Sequence, residues 1–195
     1  RRGRDVFIAE GTVVLNLLSA SHAGGGAFRA ESLLLLENRV AGLTDLIASF
    51  PEDVPVHVAS RAVMNEIVGF DIHRGVLALG RRTATFDRAG LIASLPENAL
   101  VVAAVGIANH DNIGAIFRNA AAFGADAVLL DGTCCDPLYR KALRVSVGAV
   151  LKVPYAIEGT ETDLMSDLGR SGFELWGLSP KGATDIREIA PRPRA

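Results

Sequence analysis

The sequence predicts an α/β protein in two parts: a small α/β unit over residues 1–80 and a parallel-sheet α/β domain over residues 98–195, joined by a linker at 81–97. Three observations carry this. Short apolar runs alternate with stretches of helical period along the chain, the pattern of strand–helix units. The runs of the back half are apolar almost throughout, as strands buried on both faces of a parallel sheet are. Between the halves, RRTATFDRAGLIASLPEN (Arg81 to Asn98) breaks the alternation with a charge cluster and a short helix-like run ending at Pro96.

In the front half VFIAEG, SLLLLEN, VPVHVAS and GVLALG read as strands, being short apolar runs bounded by Gly, Pro, Asn or Ser. The intervening TVVLNLLSA, VAGLTDLIASF and RAVMNEIVG carry their apolar residues at helical spacing. GGGAF at 24–28 reads as a mobile turn. In the back half the order is strand ALVVAAVGIA, a helix opening at NHDNIG, strand DAVLLDG, helix PLYRKALRVSVGAV, strand VPYAIE, helix ETDLMSDLGRSG and strand FELWGLSP, after which DIREIAPRPRA ends the chain. Nothing repeats with a period of 20 to 50 residues.

With 195 residues, 49% of them apolar, the chain can bury a substantial core. No apolar run reaches the roughly 20 residues needed to cross a bilayer, and no charged start followed by an apolar segment suggests export, so the cytoplasm is the expected compartment. The first residue is Arg1 rather than Met, so the start is expected to be trimmed. Lys and Arg number 20 against 22 for Asp and Glu, so any nucleic-acid site has to be a local concentration of charge. The two cysteines, Cys134 and Cys135, are adjacent. They can build neither a disulfide framework nor a four-ligand zinc site, no metal is expected, and they read as small side chains in a loop after a strand.

Ligands of open parallel sheets sit at the carboxyl ends of strands, which directs attention to Asn109–Asn112, just after ALVVAAVGIA. Asp111 or Asn112 can cap the following helix, and Gly114 permits a close approach. At 100° per residue Ile113, Ile116, Phe117 and Ala120 form an apolar stripe, with Arg118 roughly 140° from Ile113 and so facing away from the core. An arginine there, with Asn112 near the same strand end, can grip a phosphate or carboxylate with two N–H groups. Downstream, Arg140, Lys141 and Arg144 give PLYRKALRVSVGAV a cationic side suited to a phosphate edge, with Leu143, Val147 and Val150 as its apolar positions. Gly106 and Gly114 do not make the G-x-G-x-x-G of a dinucleotide fold, and G-x-S-x-G, Walker and H-E-x-x-H motifs are absent.

DNIGAIFRNAAAFGADAVLLDG resembles the first motif of the SpoU class of RNA ribose 2'-O-methyltransferases, of the SPOUT superfamily: an Asn, a Gly, an Arg six positions after the Asn, and a closing Phe-Gly, here Asn112, Gly114, Arg118 and Phe123-Gly124. SVGAVLKVPYA, with Ser146 and Gly148, is similar to a later helix–strand junction of that family. VFIAEG, VASRAVMNEIVGF and IHRGVLALG are similar to the small ribosomal-protein-like RNA-binding domain that precedes the catalytic domain in many members. Asn119 stands where Thr is common. The resemblance implies S-adenosylmethionine as cofactor, tRNA or rRNA as partner, a homodimer, and methylation of a ribose 2'-hydroxyl with Arg118 and Asn112 at the catalytic site. It directs RNA binding to Arg1, Arg2, Arg4, Arg74, Arg140 and Arg144. It also implies a C-terminal trefoil knot whose motifs, with the cofactor-binding residues, are expected beyond Ala195, which leaves FELWGLSP as an edge strand without its neighbour. Two alternatives remain open: a non-catalytic RNA-binding protein with a degenerate or truncated methyltransferase domain, and a nucleotide-binding oxidoreductase.

Overall fold

The computed structural model of the protein describes residues 5–69, 72, 74–190 and 192–195. By contact the chain divides into two compact units that are not consecutive in sequence. One comprises Arg1–Thr85, Asn109–Asn119 and Cys135–Lys152; the other comprises Phe86–Ala108, Ala120–Cys134 and Val153–Ala195.

The first unit is built on four strands, β1 (Val6–Glu10), β2 (Phe28–Leu36), β3 (Val56–Ala59) and β4 (Val76–Arg82), in the order β1-β4-β2-β3. β4 runs antiparallel to β1 and to β2, while β2 and β3 are parallel. The first helix, α1 (Thr12–Ala23), buries Val14, Leu15 and Leu18. GGGAF closes onto it: Ser21 Oγ donates to Phe28 O at 3.0 Å and accepts from Phe28 N at 3.2 Å, so the turn is clipped at its base. VAGLTDLIASF forms no single helix. A 3-10 turn over Glu37–Gly42 precedes the short α2 (Thr44–Ala48). α3 (Arg61–Val68) starts on the Ser60 hydroxyl and ends at Gly69, whose φ of 77° is left-handed and is adopted at little cost only by glycine. Arg61 then donates to Ile72 O at 2.7 Å, and Leu36, Met64, Ile72 and Leu77 form a buried cluster.

The second unit holds a parallel sheet in sequence order, β5 (Val101–Ala104), β6 (Ala127–Leu130) and β7 (Tyr155–Ile157). Every residue of β6 is buried, which meets the expectation from its unbroken apolar sequence. On one face α4 (Arg88–Ser94) and α7 (Glu161–Arg170) supply Leu91, Ile92, Leu164 and Leu168 to a cluster with Leu129, Ala156 and Phe173. Each buried leucine contributes about 2 kcal/mol, more than a typical hydrogen bond does net, so apolar packing holds these layers. α4 is capped by Asp87 and α7 by a reciprocal Thr160–Asp163 capping box. Arg88, 8% exposed, ties them together: its Nε donates to Asp167 Oδ2 at 2.7 Å, and its Nη1 donates to Glu158 O at 2.9 Å.

Two further elements differ from the sequence expectation. FELWGLSP forms no strand: Phe173 is buried, but Leu175 and Leu178 are exposed, and Gly177 and Pro180 interrupt any ladder. The outer edge of β5 is instead lined by the last residues of the chain, with Ala99 N donating to Pro193 O and Val101 N to Ala195 O, both at 2.7 Å. Glu174 N donates to Arg194 O at 2.9 Å on the far side of that segment. Likewise PLYRKALRVSVGAV is helical only over α6 (Arg140–Val145), and a 3-10 turn follows at Ala149–Leu151. Between them Val147 (φ 54°) and Gly148 (φ 82°) are left-handed, which ends the helix and leaves Val147 46% exposed instead of on an apolar face.

Candidate functional site

The carboxyl ends of β5, β6 and β7 are laced together in the second unit. β6 runs directly into Asp131, 3% exposed, whose carboxylate accepts from Gly106 N (2.9 Å), Thr133 Oγ1 (2.6 Å) and the Cys134 thiol (3.0 Å). Burial alone would raise the Asp131 pKa, but these donors outweigh it and hold the group ionised, down to about 2. Burial first, and then the Asp131 carboxylate, push the Cys134 thiol up to about 11, so it stays protonated and keeps donating. Gly132 N donates to Gly159 O at 2.8 Å, joining the β7 end. The result is a rigid frame behind the β5 turn, where Gly106 takes a φ of 65°. The sequence reading passed over Asp131, although an acid directly after a fully apolar strand was a usable signal. Both cysteines are free thiols, and the described residues contain no group that could hold a metal ion.

The helix after β5, α5 (His110–Ala122), starts differently from the expectation. Asn109, rather than Asp111 or Asn112, supplies the cap: its Oδ1 accepts from Asp111 N at 2.7 Å. Asp111 is free to pair with Lys141 on α6 (2.6 Å), and the His110 and Tyr139 rings lie 4.1 Å apart. Gly114 lets the two helices approach, since a Cβ there would lie 2.8 Å from Ala142 O. Ile113, Phe117 and Ala120 are buried, as their spacing predicts, and Ile116 is half-buried.

Arg118 is exposed, and among the described residues it has no hydrogen-bond or ion-pair partner; Asn112 is in the same condition. They are not on one face. Six helical residues place them roughly 120° apart around the axis and about 9 Å along it. The Arg118 fork is therefore available to an external anion by itself, with all five of its N–H donors unspent.

The other predicted basic residues divide. Arg140 and Arg144 approach the buried carboxylate of Glu10, at 3.2 and 3.9 Å. Arg144 and Arg74 line one cleft of the first unit together with Arg39, which the sequence reading did not single out. Arg140 lines a separate, apolar groove with Ile8, Leu34 and Ile67. Arg1, Arg2 and Arg4 lie outside the described residues.

Residues 99–194 match the family model for the SpoU rRNA Methylase family. That segment belongs to the SpoU rRNA Methylase family. Among curated proteins the chain is 40% identical over 181 residues to an uncharacterized tRNA/rRNA methyltransferase of Mycobacterium bovis, covering 92% of this chain and 59% of that protein. A Mycobacterium tuberculosis protein of the same description matches equally. The chain thus spans less than two thirds of these relatives' length. Among solved structures, an RNA 2'-O ribose methyltransferase superposes with a TM-score of 0.75 at 24% identity, over 97% of this chain and 69% of that one. An AdoMet-bound rRNA methyltransferase from Sinorhizobium meliloti superposes with a TM-score of 0.70 at 22% identity, over 95% and 66%. At such identities the SpoU-type fold is what is shared. The family match sets aside the oxidoreductase alternative.

Proposed function

We propose that the whole protein is an S-adenosylmethionine-dependent methyltransferase acting on a ribose 2'-hydroxyl of tRNA or rRNA, with Arg118 as a catalytic residue and Asn112 in support. The observation that carries the reading is the unpartnered guanidinium of Arg118, on the helix that leaves a parallel strand at its carboxyl end, in a segment of the SpoU rRNA Methylase family. Neighbours of this fold are crystallised with AdoMet, and one is named a 2'-O ribose methyltransferase.

A ribose hydroxyl is a weak nucleophile, so its proton has to leave and its oxygen has to be held in line with the methyl group. Arginine is protonated at any physiological pH and is a poor base. Arg118 therefore acts by gripping an RNA phosphate oxygen beside the target ribose and stabilising the partial negative charge left on the ribose oxygen as its proton passes to solvent water. Its lack of an internal partner keeps that charge from being neutralised before RNA arrives. Asn112 presents an amide to the RNA from another face of the same helix. Arg74, Arg140 and Arg144, with Arg1, Arg2 and Arg4, complete the RNA contacts of the proposal, and the assembly is a homodimer.

The residues of the second unit fit part of the methyl donor. Trp176, Leu178, Pro180, Thr184, Asp185 and Ile186 surround a cleft of ≈ 530 Å³, within the size range of small-molecule sites. Leu178 and Ile186 are 82% and 52% exposed, apolar surface that an adenine ring would cover. Thr184 and Asp185 line the same cleft, with the Asp185 carboxylate accepting from Arg187 N, Nε and Nη2. When bound, the donor supplies an electrophilic methyl group on a sulfonium.

Methyl incorporation into RNA by Arg118→Ala in the whole protein tests the reading. The expected result is a loss of more than about a hundredfold, with donor affinity and thermal midpoint unchanged, because the lost interaction acts in the transition state. Activity within about tenfold of wild type removes Arg118 from the catalytic role.

A further inference from the structure

The cleft shared by Arg39, Arg74 and Arg144 has a composition that the reaction at Arg118 does not explain. It encloses ≈ 670 Å³ within the first unit, between the β1–α1 turn, the 3-10 turn at Glu37–Gly42, the start of β4 and the end of α6. We propose that it is a phosphodiester-binding subsite that holds the RNA backbone; this rests on the RNA-methyltransferase reading above.

Charge is the first reason. Three guanidinium groups line the cleft against one carboxylate, that of Glu10, whose side chain is 6% exposed. Glu10 lies closer to Arg140 (3.2 Å) than to Arg144 (3.9 Å), so its charge is met largely from outside the cleft. Arg39 and Arg74 are exposed and have no partner among the described residues, and the Arg144 side chain is 41% exposed. The donors of Arg39 and Arg74 have no internal acceptor among the described residues, and Arg144 has the 3.9 Å contact with Glu10, which leaves guanidinium N–H groups on the cleft to grip a phosphate.

Backbone geometry is the second. Gly11, at φ 93° and ψ 152°, takes a conformation open essentially to glycine alone, and a Cβ there would meet Arg74 Nη1 at 3.0 Å. The missing side chain therefore leaves room for that guanidinium over the turn. The same Gly11 caps α1 without a side-chain hydrogen bond, and no acid stands in the first turn. The N–H groups of Thr12, Val13 and Val14, all cleft residues, lack intrahelical acceptors and add the positive end of a 12-residue helix to the arginines. Val147, another cleft residue just after the end of α6 that carries Arg144, holds φ at 54°, a strained position for a β-branched residue. Forked donors accept phosphate and carboxylate alike, and it is the added α1 amides and the RNA-methyltransferase reading that favour a phosphodiester over an acidic peptide.

The test is binding of a single-stranded RNA oligonucleotide to the whole protein as a function of salt, for wild type and for the double variant Arg39→Gln/Arg74→Gln. Because neither arginine has an internal partner, the thermal midpoint should not move. Each lost phosphate contact flattens the slope of log K against log salt by about 0.7 on single strands, so the double variant should lose about 1.4 of slope and bind about tenfold more weakly at low salt. Arg170→Gln, on α7 outside the cleft, should leave both quantities unchanged. Wild-type affinity and slope in the double variant, while wild type binds RNA, overturn the subsite and leave the methyltransferase reading standing. No salt-dependent RNA affinity in wild type overturns both. Polyglutamate displacing RNA from wild type at equal charge, and failing to do so from the double variant, assigns the cleft to an acidic peptide and overturns the proposal.

Discussion

The Cys134 thiol donates a 3.0 Å hydrogen bond to Oδ1 of Asp131, and the same oxygen accepts from the Gly106 N–H at 2.9 Å. One buried carboxylate thereby joins the end of β6 to the turn after β5. For the role proposed for Arg118 such a tie would matter, because a displacement of about 1 Å at a reacting group is costly in rate.

Asp131→Asn is expected to destabilise the protein at neutral pH by about 1–3 kcal/mol, since an amide presents N–H groups to sites that hold donors. The acid limb of stability should change with it. The folded pKa of Asp131 is depressed from 3.8 to about 2, so its contribution is fully present above about 3.8 and is lost as pH falls through about 2. Thermal melts from pH 5 to pH 2 should show a shallower acid decline in the variant. An equal decline in both proteins rules the carboxylate out as the source.

Cys134 is expected to resist alkylation at neutral pH. With a pKa pushed up to about 11 by burial and by the neighbouring carboxylate, only about one thiol in several thousand is ionised at pH 7.5, and the thiolate is the reactive form. The Cys135 pKa is raised too, by burial first, but its side chain is only half-buried. Peptide mass spectrometry after iodoacetamide treatment should find Cys135 modified first. Equal labelling of the two would contradict the bonded geometry.

Arg88→Leu is expected to cost about 2–3 kcal/mol. It leaves the Asp167 carboxylate, a third exposed, with the longer 3.8 Å pairing to Arg170, and it removes the Arg88 donor from Glu158 O. Urea denaturation would read this as a lower midpoint at unchanged slope.

Gly114→Ala sets two effects of opposite sign against each other. Alanine in a helix interior gains about 1 kcal/mol over glycine. Its Cβ, however, would stand 2.7 Å from Val145 Cβ and 2.8 Å from the backbone oxygen of Ala142, and such overpacking costs about 1–3 kcal/mol. The backbone oxygen cannot swing aside, so the net change should be a loss, read as a lower thermal midpoint; a rise would show that α6 yields.

Much of this architecture is written in the local pattern of the chain. Continuous apolar runs such as AVLL specify buried parallel strands, the spacing of Ile113, Phe117 and Ala120 specifies a helix with Arg118 turned outward, and the order of Asn112, Gly114 and Arg118 lies within the segment that matches the family. These are short-range properties: they depend on the period of the backbone and on which side chains avoid water. Tertiary structure decided the rest. FELWGLSP has the apolar content of a strand, yet the place beside β5 is taken by Pro193–Ala195, a competition between distant segments for the same N–H and C=O groups. PLYRKALRVSVGAV continues a helical pattern past Val145, yet the chain turns left-handed at Gly148, whose φ of 82° favours glycine and which packs against Val14 of α1. The cap falls to Asn109 because the helix starts at His110, and Asp111, inside the first turn, pairs instead with Lys141 thirty residues on. Asp131 and the Arg39–Arg74–Arg144 cleft are assembled from residues far apart in sequence, and hydrogen bonds and charge act through distances that no local period encodes.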